Sequence, residues 1–110
     1  MAAKVFLVGK LLDDIVLQKR NDKVVTNFEV QCNVAGRVEF IKCTAWGKYA
    51  ETLKEKTNKG MRVVVEGEWT SKTYYDESKS TKFTNIYVTV EKVEYLDPQE
   101  KQLSFDEVDY

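Results

Sequence analysis

The chain has 110 residues, a formal net charge of −1, no His, one Pro and 12% aromatic residues. That length fits one domain, able to bury roughly two-thirds of its unfolded surface, and the aromatic content excludes general disorder. The missing His and the lack of a C-x-x-C spacing argue against a metal site, a metal cofactor and imidazole acid–base chemistry.

The net charge hides an asymmetry. Residues 1–90 hold 15 Lys and Arg against 11 Asp and Glu, whereas residues 91–110 hold 2 against 7. A mildly basic body carries an acidic end, a division compatible with a nucleic-acid partner for the body. Val5–Val8 is too short for the apolar core of a secretory signal. No stretch approaches the roughly 18 apolar residues of a membrane span. Two cysteines without an export signal imply reduced thiols and a cytoplasmic location, with no membrane partner.

Residues 4–18 read as a long bent strand. Val5–Val8 is continuously apolar, and Gly9 permits a kink of the kind found at barrel corners. Leu11, Leu12, Ile15, Val16 and Leu17 resume the apolar run, while Asp13-Asp14 offers a turn that would divide the segment. Lys19–Lys23 is a polar connection in which Asn21 and Asp22 are strong turn formers. Residues 24–34 alternate: Val24, Phe28, Val30, Cys32 and Val34 share one face, and Asn27, Glu29, Gln31 and Asn33 the other.

Ala35-Gly36 predicts a two-residue loop into a strand over 38–46. With Val34 paired to Arg37, Val30 falls opposite Ile41, Phe28 opposite Cys43 and Cys32 opposite Glu39. The cysteines then lie about 13 Å apart along the hairpin, too far for a disulfide. Residues 48–57 predict a short helix with Tyr49 and Leu53 on one side, ended at Asn58-Lys59-Gly60 with Gly60 as a left-handed cap. Residues 61–75 predict a strand with Met61, Val63 and Val65 inward, and Trp69 by the same parity in the core or an interface. Asp76–Thr81 is a polar hairpin tip. Residues 83–95 predict the last strand, with Ile86, Val88 and Val90 as its core face. The fold is thus all-β with one short helix. Three strands, a helix and two more strands, the first bent, is the order of a five-stranded OB-fold barrel. That body occupies residues 1–96; residues 97–110 read as a flexible acidic tail.

The strand over 38–46 carries the functional signal. Ile41, Cys43 and Ala45 share its core face; Phe40, Lys42, Thr44 and Trp46 share the other. A core would not hold Lys42, so the second face looks at solvent or at a ligand. Spaced aromatics and cations suit a single-stranded nucleic acid, whose bases stack on rings and whose phosphates meet cations. The competing reading is a sheet with a few half-exposed aromatics. Thr70, Lys72 and Tyr74 share a face of the next strand, and Phe83 and Tyr87 lie on the non-core parity of the last. Enzyme readings fail. Gly47-Lys48 lacks the upstream glycine and the hydroxyl residue of a phosphate loop, and Asp13-Asp14 and Asp76-Glu77 read as solvated turn carboxylates.

Four segments resemble, in order and spacing, the bacterial single-stranded DNA-binding proteins. They are Val5-Phe6-Leu7-Val8-Gly9-Lys10-Leu11, Asn27-Phe28-Glu29-Val30, the run from Phe40 to Glu51, and Lys59-Gly60-Met61-Arg62-Val63-Val64-Val65-Glu66-Gly67. The resemblance covers roughly residues 4–92. It implies a non-catalytic protein that coats and protects single-stranded DNA, without strong sequence preference, in replication, recombination or repair. It implies base-stacking aromatics at Phe40, Trp46 and Tyr74, and phosphate-contacting cations at Lys42, Lys48, Lys59 and Lys72. It also implies homodimers or homotetramers formed partly through first-strand pairing, with which the apolar Val5–Val8 is compatible.

The chain departs from the cellular members in its short loop after residue 34, its lack of a long Gly/Pro/Gln-rich linker and its ending. This compactness resembles phage or mobile-element versions. Ser104–Tyr110 resembles the family's partner-recruiting tip without its Pro-Phe end. Phe105, Asp106, Glu107, Asp109 and Tyr110 suit a basic pocket with an apolar slot on a replication or recombination protein. The alternative is an OB-fold module for protein contact or for RNA, as in a primosome. RNA selectivity needs a contact to the 2′-hydroxyl, which no sequence pattern here reveals.

Overall fold

A computed structural model describes residues 3–97. In chain order it has β1 (Lys4–Leu11), β2 (Gln18–Arg20), β3 (Lys23–Val34), β4 (Arg37–Trp46), α1 (Lys48–Lys56), β5 (Arg62–Asp76) and β6 (Thr81–Tyr95). The strands form one sheet in the order β1-β5-β6-β4-β3-β2, and β1 also pairs with β3. β1 joins β5 along Lys4–Lys10 and β3 through Lys10 and Leu11, so the sheet closes on itself. β2 is a three-residue edge piece on the start of β3, which leaves five strands in the closed barrel. β4 and β6 meet in parallel at Cys43↔Val88 and Thr44↔Thr89. This is the OB-fold barrel expected from the element order.

Gly9 marks the bend in β1. A Cβ there would lie 2.1 Å from the carbonyl oxygen of Gln31 and 2.9 Å from Val30 Cγ1. The first strand crosses from β5 to β3 at this point, backbone against backbone. The segment divides after Leu11, as Asp13-Asp14 suggested. Asp14 Oδ1 accepts the Lys59 N–H at 2.7 Å, tying that loop to the chain beyond α1.

The β3–β4 hairpin has the expected register, with Val34↔Arg37, Val30↔Ile41, Phe28↔Cys43 and Cys32↔Glu39. Ala35 and Gly36 take φ of 52° and 79°, the left-handed pair whose twist suits a two-residue loop. Cys32 and Cys43 are both buried and free. Burial pushes the Cys43 thiol up to about 12, with a smaller contribution from the Cys32 thiol. The core gathers Leu11, Ile15, Phe28, Val30, Cys43, Ala45, Met61, Val63, Val65, Val88 and Val90, and α1 adds Ala50 and Leu53.

Four expectations need correction. Val34 is exposed, because the hairpin tip extends past the core. Ile86 is 43% exposed, since the β5–β6 hairpin likewise overshoots the barrel; Trp69, expected in the core or an interface, is 50% exposed and so not in the core. The inward parity of β6 changes along its length. Glu66 pairs with Lys92 and Gly67 with Val90, so Glu91 is an extra residue, and such a bulge turns the later side chains over. Val93 and Tyr95 therefore pack against the core in place of an even-numbered continuation. Finally, α1 ends at Thr57, whose N–H and Oγ1 both donate to the Leu53 carbonyl at 3.0 and 2.5 Å. Gly60, with φ of 85°, shapes the following turn and donates to the Leu11 carbonyl.

Gly9→Ala should test the crossing. The added methyl meets backbone that cannot swing away, so a loss of about 1–3 kcal/mol is expected. Urea unfolding followed by circular dichroism measures it; an unchanged midpoint would mean that β1 and β3 can separate freely.

Candidate nucleic-acid interface

The non-core parity of the strands builds one continuous surface. Across β3 and β4 it brings Asn27 opposite Thr44, Glu29 opposite Lys42 and Gln31 opposite Phe40. Across β5 and β6 it brings Thr70 opposite Tyr87 and Lys72 opposite Asn85. The Thr44↔Thr89 pairing joins the two halves. The surface curves into an open groove of about 610 Å³. Lys42, Thr44 and Trp46 line it from β4, Asn27 and Glu29 from β3, Lys72 and Tyr74 from β5, and Asn85, Tyr87 and Thr89 from β6. Arg20 of β2 and the loop residues Asp13 and Asp14 complete the wall.

Trp46 is 40% exposed and stands at the end of β4, opposite the buried Val25. Gly47, with φ of 57°, turns the chain into α1 directly after it, and its N–H donates to the Val24 carbonyl at 2.8 Å. Trp46 is thus fixed between a core residue and a helix start. Thr44 Oγ1 donates to Asn27 Oδ1 at 2.8 Å, which orients the amide and leaves Nδ2 as a donor. Tyr74 is exposed, and its Cα partner is Phe83, whose side chain lies outside the described part of the structure.

Of the residues singled out in the sequence, Lys42, Trp46, Lys72 and Tyr74 come together in the groove. Phe40 lies outside it, 52% exposed, nearer the β3–β4 tip. Lys48 opens α1 and Lys59 follows it; both are exposed and outside the groove. Phe105, Asp106, Glu107, Asp109 and Tyr110 lie outside the described residues. The groove also recruits Asn27, Glu29, Asn85 and Thr89. The polar parity of β3 and its register against β4 carried the signal for the first two. Arg20 had no such signal, because it sits in a short edge piece within a polar connection.

The charges of the groove balance. Arg20, Lys42 and Lys72 share it with Asp13, Asp14 and Glu29. What the groove offers in excess is aromatic ring surface and uncharged hydrogen-bonding groups. Flat π-faces accept bases of any type, and hydroxyls and amides donate or accept at base and sugar edges.

Comparison with known proteins agrees with this chemistry. The profile of the single-strand binding protein family matches residues 2–96. A single-stranded DNA-binding protein of Caldanaerobacter subterraneus subsp. tengcongensis is 31% identical over 107 residues, covering 90% of this chain and 71% of the relative. One from Staphylococcus epidermidis is 25% identical over 108 residues, covering 92% and 81%. One from Onion yellows phytoplasma is 29% identical over 101 residues, covering 88% and 96%.

Proposed function

Because the chain belongs to the single-strand binding protein family, we propose that the groove is where single-stranded DNA lies, its bases turned in and its phosphates along the rim. The protein binds single-stranded DNA and acts by binding, not by catalysis. The observation that carries the placement is the meeting of Trp46 and Tyr74 with Lys42 and Lys72 on one concave face. In the proposed complex the two rings stack on bases, Lys72 meets a phosphate, and Lys42 donates hydrogen bonds to the strand within the groove. Phe40, Lys48 and Lys59 extend the path beyond the groove. The protein serves replication, recombination or repair in the cytoplasm, with residues 1–96 as the binding body and 97–110 as a tail. No described helix is long and apolar enough to cross a membrane.

Adding oligothymidine should quench the fluorescence of Trp46, and Trp46→Ala should cost about 1–3 kcal/mol of affinity. Log K should fall by about 0.7 per neutralised phosphate for each decade of salt. Lys72→Ala should lower that slope. Unchanged affinity in a folded Trp46→Ala protein would remove the ring from the site. Equal affinity for uridine oligomers would point to an RNA module, and no binding at low salt to a protein-contact module.

Homo-oligomers are part of the proposal. β1 pairs with β5 along its length but with β3 only at Lys10 and Leu11. Its other edge is unpaired over residues 4–9 among the described residues. Phe6 and Val8 lie on its outer face, 66% and 60% exposed. A bare strand edge beside apolar side chains is a template for a second chain. Two copies pairing edge to edge would continue the sheet as a dimer, and face packing of two dimers would give a tetramer. Light scattering on a sizing column should report dimers or tetramers, and Phe6→Glu with Val8→Lys should yield monomers. A monomeric unsubstituted protein would refute the interface.

The tail is proposed to recruit replication or recombination proteins through Phe105, Asp106, Glu107, Asp109 and Tyr110. Residues 104–110 hold three acids and no cation, so phosphate repels them. Truncation after Gln102 should leave DNA affinity equal or slightly higher, most visibly at low salt. A clear loss of DNA affinity would assign the tail to the DNA site instead.

A further inference from the structure

A carboxylate in a groove that holds a polyanion needs an explanation. Glu29 lines the groove directly opposite Lys42, a relation that puts Cβ atoms about 4.5–5.5 Å apart. Cys43 pairs with Val88, so Tyr87 lies beside Lys42 on the neighbouring strand. Glu29, Lys42 and Tyr87 thus form one row across β3, β4 and β6, and all three line the groove. Neither charged group of the row has an ion pair or a side-chain hydrogen bond among the described residues. They are not spent on each other.

Resting on the reading that single-stranded DNA occupies the groove, we propose that Glu29 and Lys42 read the edge of a guanine base stacked on Tyr87. A phosphate beside Glu29 is repelled, so the strand must present a base there. An ionised carboxylate only accepts hydrogen bonds, and an ammonium only donates them. The Watson–Crick edge of guanine carries O6, N1–H and N2–H in order: one acceptor, then two adjacent donors. Lys42 Nζ donates to O6, and the two Glu29 oxygens accept from N1–H and N2–H. The other bases fit less well. Thymine flanks its single donor with two acceptors, and cytosine and adenine set an acceptor beside their amino group. The groove therefore stacks any base but holds guanine best at this row.

The test uses the full-length chain and three oligomers of equal length at one salt concentration. One is oligothymidine. The second carries isolated deoxyguanosines among thymidines, and the third has deoxyinosine at the same places. Inosine keeps O6 and N1–H and lacks the amino group, so it controls for purine stacking. The guanine oligomer should bind roughly five- to ten-fold tighter than the thymidine one, the scale of a bidentate base contact, with inosine between. Glu29→Gln should abolish the margin of guanine over inosine. The same change should raise affinity for oligothymidine, because a negative charge leaves the groove. Equal affinity for guanine and inosine oligomers in the unsubstituted protein overturns the proposal, whatever the variant does. So does a guanine margin that survives Glu29→Gln. Failure to bind any of the three would instead overturn the single-stranded DNA reading on which the proposal rests.

Discussion

The crossing of β1 over β3 at Gly9 is the constraint on which the rest depends. An open sheet of these strands would expose Val30, Val63 and Val65, which here are fully buried. Closure needs one strand to pair on both sides, and β1 does so by bending where it carries no side chain. The approach leaves no room for a methyl group, so the bend is bound to glycine by contact and not only by backbone freedom. Gly67 repeats the device on β5, where a Cβ would lie 2.2 Å from the Thr89 carbonyl oxygen. It stands at the register shift that brings Glu91 into β6.

Closure also decides where a ligand can lie. Once one parity of each strand fills the barrel, the other is committed to the outside. On β4 that parity holds two aromatics, a cation and a hydroxyl. The same backbone therefore serves core and groove: Cys43 and Ala45 anchor the strand while Lys42, Thr44 and Trp46 stand between them. A change in the core beneath β4 would move the groove residues with it. The parallel meeting of β4 and β6 then sets the two hairpins side by side and turns two strips into one concave face.

Much of this was legible because a period of two leaves little freedom. Given Ala35-Gly36 as the loop, every cross-strand pair of the first hairpin followed, down to Glu29 beside Lys42. The misses have specific physical causes. Hairpin overshoot depends on where the barrel ends, which no local pattern states; hence Val34 and Ile86 were assigned to core faces, and Trp69 to the core or an interface. The bulge at Glu91 did leave a trace. Apolar residues change from even positions at Val88 and Val90 to odd ones at Val93 and Tyr95, and a fixed parity hides that change. Arg20, Asp13 and Asp14 reach the groove from segments without periodicity, and only tertiary structure brings them there. As a result the charge balance of the groove differed from that of the body.

That balance bears on how DNA would lie. A uniformly basic cleft draws phosphates to its floor and leaves the bases outward. Here the acids reach in from β3 and the loop before β2, and Lys48 and Lys59 lie outside the groove. Charges separated by more than about 8 Å are largely screened at physiological salt, so each of these groups acts on the nucleotide beside it and not on the strand as a whole. In the proposed complex, phosphates near Asp13, Asp14 and Glu29 would be pushed outward, and those passing Lys48 or Lys59 would be held outside the groove. Both effects would turn the bases toward Trp46, Tyr74 and Tyr87. The acids thus complement the rings, because repelling the backbone and stacking the bases favour the same orientation of the strand.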